Sequence, residues 1–106
     1  MSAIWVYVTA SDQEEATNIA QILVEERLVA CANVLGPTTA IYWWEGKVER
    51  CPEVAFIMKT RADLLDAVIE KISNNFSYDC PCIVALPITG GNPNFLDWLD
   101  EETRNA

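Results

Sequence analysis

The sequence predicts an α+β domain of the ferredoxin-like type, in which an antiparallel sheet carries a layer of helices. The apolar pattern follows the order β-α-β-β-α-β and ends in an additional C-terminal helix. Both of the first two helices have a single apolar stripe, which is typical of helices that cover one face of a sheet. Two β-α-β halves around a central hairpin define this fold. We expect the 106 residues to form one domain, 1–106.

The first half begins with a strand at residues 3–9, where apolar side chains occupy both faces and so indicate a central strand. Ser11 and Glu14 have the spacing of a capping box, which predicts a helix from there to about residue 28. A second apolar strand follows at residues 29–35. Gly36 and Pro37 interrupt it, so we expect either one bent strand or two short ones.

The central hairpin is predicted at residues 39–49, with a tight turn at Glu45 and Gly46. Trp43 and Trp44 are neighbours and must face opposite sides of a strand, so we expect one to enter the core and the other to be an interface anchor. The return arm continues to Thr60 and extends roughly 46 Å. Because a domain of this size has a radius of gyration of about 13 Å, we expect the hairpin to build an obligate oligomer.

The second half starts with the same return arm, where Pro52 indicates a bulge or a sheet edge. Thr60 is the expected cap of a helix that reaches about residue 73. A loop at residues 74–79 precedes a strand at residues 83–88. Asn92 as cap and Pro93 in the first turn predict the last helix.

The charge balance limits the partners of the protein. The chain has 16 acidic and 7 basic residues, a net charge of −9, whereas nucleic-acid binding needs a basic face. No apolar run reaches the ~18 residues of a membrane span, so we expect no membrane insertion. The N-terminus lacks the basic region of a signal peptide. These features predict a cytoplasmic protein with reduced cysteines.

The absence of histidine limits the chemistry of the protein. Histidine is the usual general base at neutral pH and the partner of serine or cysteine nucleophiles. We can name no nucleophile-base pair in this chain. The sequence therefore predicts a protein that is not an enzyme.

Cys80 and Cys82 are the most specific chemical signal in the sequence. In an extended segment they lie on the same side, two residues apart, and paired thiolates suit Cu(I). Copper is thus the possible cofactor, and the alternative is two small loop residues without a partner. Cys31 is predicted to be buried in an apolar strand, and Cys51 to be exposed.

The chain resembles the divalent-cation tolerance family, the CutA-type proteins, over about residues 6–99. The resemblance lies in Lys59-Thr60, in Tyr78 and in three runs, LVEERLVACAN at residues 23–33, YWWEGK at residues 42–47 and FLDW at residues 95–98. It implies a ferredoxin-like fold, a tight homotrimer with strands shared between subunits, a cytoplasmic setting and a link to copper and other divalent metals.

The resemblance also implies metal ligands that this chain does not have. Some members of the family are thought to hold copper through a cysteine on the first strand and histidines just before the tyrosine loop. Those positions are Val8, Asn75 and Phe76 in this sequence. None of them suits copper, so we do not expect this chain to have the family's metal site.

Glu53, Lys59 and Tyr78 are the polar members of the family-like pattern. They predict either a pocket between subunits for an anion or small molecule, or an ion pair and tyrosine hydrogen bond that lock the trimer. The leading hypothesis is a non-enzymatic trimer that acts in metal-ion tolerance by ion binding or signalling. The alternative is a PII-like regulatory trimer that responds to a small molecule and binds no metal.

Overall fold

The computed structural model describes residues 2–104, so the ends of the predicted domain, Met1, Asn105 and Ala106, lie outside the described residues. The strands are β1 (Ala3–Ala10), β2 (Cys31–Trp44), β3 (Lys47–Arg61) and β4 (Ile83–Pro87). The helices are α1 (Gln13–Glu25), α2 (Leu65–Asn75) and α3 (Pro93–Glu102), and a 3-10 turn at Ala62–Leu64 precedes α2. The sheet is antiparallel with the order β2-β3-β1-β4. This confirms the predicted ferredoxin-like fold with β1 in a central position.

The core lies between the sheet and the pair α1 and α2, as one apolar stripe on each helix predicts. Alternate side chains of β1 point into it, and Val6 and Val8 are fully buried. The two helices and β3 contribute further large, fully buried residues to this core, among them Leu23, Val68, Ile72, Phe56 and Met58. Both helices therefore cover the same face of the sheet.

The opposite face of the sheet, which we call the open face, is apolar and largely uncovered. Trp5, Val84 and Leu86 lie on it and are 40%, 52% and 52% exposed. Only one end is covered, where Leu99 of α3 packs with Ala3, which lies on the same side of β1 as Trp5. The prediction that both faces are apolar is confirmed.

The C-terminal helix α3 is held by the guanidinium group of Arg61, whose side chain is largely buried. Its Nη2 atom donates to the carbonyl oxygen of Arg104 at 2.6 Å. Its other nitrogens lie 3.1 Å from Asp63 Oδ1 and 3.5 Å from Asp100 Oδ1. The buried charge is therefore compensated by two carboxylates and a carbonyl group, as a stable buried cation requires.

The hairpin consists of β2 and β3, and β2 is a single bent strand. The bend is a bulge between Val34 and Gly36, and Gly36 has a φ of 108°, which glycine adopts without strain. The turn between the strands has only two residues, Glu45 and Gly46, with φ angles of 50° and 80°. Positive φ at both positions is typical of the tight hairpin turn that the sequence predicts.

The hairpin projects beyond the body of the domain. The last residue pair between β1 and β3 is Ala10 with Val54, so β2 and β3 continue as a two-stranded ribbon from Thr38 and Glu53 to the turn. Seven residue pairs at about 3.3 Å give a ribbon of roughly 23 Å. The molecule accordingly measures 44 × 25 × 22 Å. Pro52 lies in this ribbon, where the register is regular, so it marks an edge and not a bulge.

The prediction that Trp43 or Trp44 enters the core is wrong. Trp43 is 74% exposed and Trp44 is 54% exposed. Both belong to the projecting ribbon, which extends past the helices that cover the sheet. Their side chains point to opposite sides of the ribbon, as neighbours on a strand must, and residues 2–104 leave both side chains largely exposed.

The predicted capping box of α1 is also wrong. The N-cap is Asp12, whose Oδ1 atom accepts a hydrogen bond from the backbone N–H of Glu15 at 2.8 Å. Ser11 bonds to the Glu15 carboxylate instead of to Glu14. The helix ends at Glu25, before the predicted residue 28, because Arg27 takes a left-handed φ of 59°. That conformation turns the chain toward β2.

Thr60 is not the cap of the second helix. It is fully buried, and its hydroxyl group donates to the carbonyl oxygen of Leu28 at 2.6 Å. The 3-10 turn that precedes α2 begins after Arg61, which makes no side-chain capping bond. The threonine therefore joins the end of β3 to the segment between α1 and β2.

Thr60→Val is expected to destabilise the fold, because it keeps the shape of the side chain but leaves the buried Leu28 carbonyl without its donor. The expected loss is about 1–3 kcal/mol in the free energy of unfolding. Chemical denaturation at matched protein concentrations measures it. Thr17→Val, on the exposed surface of α1, is the control, with a change within about 0.5 kcal/mol. Equal effects of the two substitutions would contradict the role of the Thr60 bond.

Candidate functional site

Glu53 and Tyr78 meet at the base of the projecting ribbon. The Tyr78 hydroxyl donates to Glu53 Oε2 at 2.7 Å. Partial burial of the phenol raises the pKa of Tyr78 well above its usual range, and the hydrogen bond to the Glu53 carboxylate raises it further. The phenol therefore stays protonated and donates to a carboxylate, which is a strong type of hydrogen bond.

The loop that carries Tyr78, residues 76–82, is held in place by the first turn of α1. Glu15 Oε2 accepts from the Ser77 backbone N–H at 3.1 Å, and Glu15 Oε1 accepts from the Ser77 hydroxyl at 3.2 Å. Desolvation alone would raise the pKa of Glu15, but the hydrogen bonds from Ser11 and Ser77 outweigh it and lower that pKa. The rings of Phe76 and Tyr78 pack edge to face at 5.7 Å. The position of Tyr78 thus depends on its neighbours on both sides.

Lys59, the third polar residue of the predicted site, lies elsewhere in the chain. It is six residues from Glu53 on β3, roughly 20 Å along the strand. Its Nζ atom donates to Asn33 Oδ1 at 2.6 Å and lies 3.9 Å from Cys31 Sγ. The Glu53–Tyr78 hydrogen bond of the predicted lock is therefore present within one chain, whereas Lys59 is paired with other groups there.

The prediction that Cys31 is buried in an apolar strand is wrong. It is half-buried, because β2 is an edge strand and Cys31 lies on the open face, opposite Lys59. Cys51 was expected to be exposed and is also half-buried. It lies on the side of β3 that faces Tyr42 and Glu53, and its Sγ atom lies 3.4 Å from the Pro52 carbonyl oxygen.

Cys80 and Cys82 are both exposed free thiols on the loop 76–82. Burial of its sulfur raises the pKa of the Cys82 thiol, and the nearby Glu53 carboxylate raises it further, while a hydrogen bond with Thr9 acts in the opposite direction. Cys82 therefore lies next to the Glu53–Tyr78 pair. The structure brings one predicted thiol and two predicted polar residues into one region of the open face.

The metal ligands that the resemblance implies do not fit this chain. Val8 is fully buried in the core, the Asn75 amide donates to the Lys71 carbonyl oxygen at 2.7 Å, and Phe76 is an aromatic side chain without a donor atom. Within residues 2–104, no three side chains of His, Cys, Asp or Glu are placed together to hold a metal ion. A copper site in a single chain would thus depend on two sulfur donors.

The comparisons with known proteins agree with this fold. The model of the family described as CutA1 divalent ion tolerance protein matches residues 4–102. In the described part of the chain, no helix is both long and apolar enough to cross a bilayer.

Similar proteins come from a plant and an archaeon. The protein named CutA 1, chloroplastic, from Oryza sativa subsp. japonica is 43% identical over 98% of this chain, which spans only 59% of that relative. The crystal structure of CutA1 from Oryza sativa has a TM-score of 0.97 and 42% identity, and the match covers 100% of this chain and 97% of that one.

The structure of the periplasmic divalent cation tolerance protein CutA from Archaeoglobus fulgidus is 43% identical to this chain, with a TM-score of 0.92. That match covers 94% of this chain and 97% of the archaeal one. The range matched by the family model, residues 4–102, covers nearly the whole sheet and all three helices. This chain therefore belongs to the CutA1 divalent ion tolerance protein family.

Proposed function

We propose that this protein is a non-catalytic homotrimer that acts in divalent-cation tolerance by holding copper, as Cu(I), between Cys80 and Cys82. The observation that carries the proposal is the exposure of both thiols on one short loop. The family is named for tolerance of divalent ions and not for a reaction, which supports a role in binding or signalling.

The donor set favours Cu(I) over the other common metals. Thiolates are soft ligands that select Cu(I), whereas a structural zinc ion takes four ligands. The chain has no histidine to complete such a zinc site. Binding converts each thiol to a thiolate and releases its proton. The net charge of −9 gives the surface a weak general attraction for cations.

The trimer is supported by the apolar surfaces that a single chain leaves uncovered. On one side of the ribbon lie Trp43 and Val48, which are 74% and 58% exposed, and on the other side lies Trp44. The open face of the sheet is a second, different apolar surface. A contact between two different surfaces is heterologous, and it closes into a ring when the rotation between subunits allows it. Three subunits is the closure that the family resemblance implies.

The position of Glu53 supports a lock between subunits. It lies at the base of the ribbon, where a neighbouring chain would pack, and Tyr78 of the same chain occupies one of its oxygen atoms. Lys59 is too far along β3 to reach it within the chain. We propose that Lys59 acts across the interface, either by pairing with a carboxylate of the neighbour or by lining a pocket for an anion.

The cellular compartment is also a proposal. We place the protein in the cytoplasm, where thiols stay reduced. The relatives named as chloroplastic and periplasmic occupy other compartments, so the family's fold is compatible with several of them.

The alternative function, a PII-like regulator, is less well supported by the hairpin. Regulators of that type need a long mobile loop between the second and third strands. Here the turn consists of Glu45 and Gly46 alone. A small-molecule response would have to use the region around Glu53 and Tyr78.

In solution, the protein is expected to have about three times the chain mass of 11.9 kDa, because the ribbon and the open face cover each other. Sedimentation equilibrium or light scattering at micromolar concentration measures it. A stable monomer at that concentration would contradict the proposed assembly.

Trp43→Ala and Trp44→Ala are expected to weaken the assembly, since each removes a large apolar anchor from the ribbon. Such anchors contribute about 2 kcal/mol or more to an interface, and a trimer ring has three such interfaces, so subunit dissociation should begin at protein concentrations on the order of 100-fold higher. Val24→Ala, on the exposed surface of α1, is the control. Two tryptophan variants that assemble like the control would show that the ribbon is not the interface.

The reduced protein is expected to bind Cu(I) in competition with a chelator, and Cys80→Ser/Cys82→Ser should weaken this binding by on the order of 100-fold or more, since both soft ligands are lost. Cys31→Ser/Cys51→Ser removes the same number of thiols from the strands and should retain the binding. Equal affinity of the two double variants would exclude the Cys80–Cys82 site and favour the alternative regulator.

A further inference from the structure

We propose that Cys80 and Cys82 are also a modification site, at which mild oxidation forms a reversible disulfide within the loop 76–82. In this oxidised form the sulfur atoms are no longer thiolates, so the disulfide would prevent copper binding. This second consequence rests on the proposed function, whereas the disulfide itself does not depend on it.

The short sequence separation keeps the Cα atoms of the two cysteines close to the range that a disulfide spans. Two trans peptide links limit the distance between the Cα atoms of Cys80 and Cys82 to about 7 Å, and a disulfide spans about 4.4–6.8 Å. Pro81 restricts the backbone between them and so lowers the entropy that ring closure costs.

The loop can also adjust to the new bond. Residues 76–82 form no helix or strand, and β4 begins only at Ile83. The hydrogen bonds from Glu15 to Ser77 and from Glu53 to Tyr78 lie before Cys80, and the contact with Thr9 is made by the side chain of Cys82. Closing the ring therefore changes a segment that makes no ladder hydrogen bonds.

The other two thiols lie on strands and not on the loop. Cys82 lies beside Thr9 on β1, and the partner of Thr9 on β3 is Ala55. Cys51 is four residues before Ala55, roughly 13 Å along the strand, and Cys31 is on the edge strand β2, beyond β3. Cys80 is two residues from Cys82, which makes it the nearer partner along the chain.

The exchange reaction can be written for a low-molecular-weight disulfide, with oxidised glutathione as the example. The Cys80 thiolate attacks one glutathione sulfur, forms a mixed disulfide and releases one glutathione thiolate. Cys82 then loses its proton to solvent and attacks the Cys80 sulfur, which releases the second glutathione. The protein dithiol is oxidised to a disulfide, and one glutathione disulfide is reduced to two thiols.

Both thiols are exposed, so either can attack first and the other then resolves the mixed disulfide. A small ring on an exposed loop is easily reduced again, as labile and regulatory disulfides are.

The test is to incubate the reduced, metal-free protein with excess oxidised glutathione and to determine its intact mass and its peptide map. The expected product has lost two hydrogen atoms, contains a peptide with a Cys80–Cys82 bond and returns to the original mass with a thiol reductant. Cys82→Ser should instead accumulate the mixed disulfide at Cys80. Cys31→Ser/Cys51→Ser should still form the bond.

Glutathione attached separately to Cys80 and Cys82, or a bond from either to another cysteine, would overturn the proposal. Cu(I) titration of the oxidised protein then tests the link to copper, with affinity expected to fall to that of Cys80→Ser/Cys82→Ser. If the reduced protein shows no copper site at this pair, the mass measurement still decides whether the disulfide forms.

Discussion

The structure depends on the unequal length of its paired strands. β3 has 15 residues and pairs with β2 from Lys47 to Lys59, whereas β1 has 8 residues and pairs only with the second half of β3, from Val54. The excess becomes a two-stranded ribbon with no helix over it. An isolated two-stranded ribbon is marginally stable in water, and this one exposes Trp43 and Trp44. In the assembly that we propose, contacts with a neighbouring chain stabilise the ribbon, and the open face of the sheet is the apolar surface that receives it.

The same strand mismatch explains where the polar groups lie. Glu53 is the last residue of β3 before β1 becomes its partner, so one side of it is not covered by a strand. Tyr78 fills that side, and Glu15 holds the loop from the other direction through Ser77. The loop that presents Cys80 and Cys82 is thus joined both to the ribbon and to α1. A change in the conformation of this loop would alter the contact between Tyr78 and Glu53 at the base of the ribbon, which is where we place the subunit interface.

Most of the fold could be predicted because the signals are local. The alternation in β1, the stripes of α1 and α2 and the turn at Glu45 and Gly46 are each contained in a few residues. The wrong predictions are those in which a side chain bonds to a residue far away in the sequence instead of to a neighbour. Thr60 is of a residue type that often caps helices, but its hydroxyl group donates to the Leu28 carbonyl oxygen. Ser77 likewise bonds to Glu15, which lies 62 residues earlier in the chain. Residue spacing in the sequence predicts bonds between near neighbours and cannot predict such long-range pairs. The exposure of both tryptophans was missed for a related reason, since it depends on where β1 ends relative to β3.

The proposed copper site uses residues of this chain that differ from the ligand positions that the family resemblance implies. The family's scaffold is present nearly in full, yet the positions at which the resemblance implies copper ligands hold a buried valine, an amide and a phenyl ring at Val8, Asn75 and Phe76. The soft donors of the proposed site, Cys80 and Cys82, lie instead on a loop that is exposed and belongs to no strand. Buried ligands on a strand would be protected from oxidants and slow to exchange metal. Two exposed thiols are the reverse, because they are accessible to copper and to disulfides alike. A site of this kind would bind metal only while its surroundings are reducing, and that dependence follows from the position of the thiols on the loop.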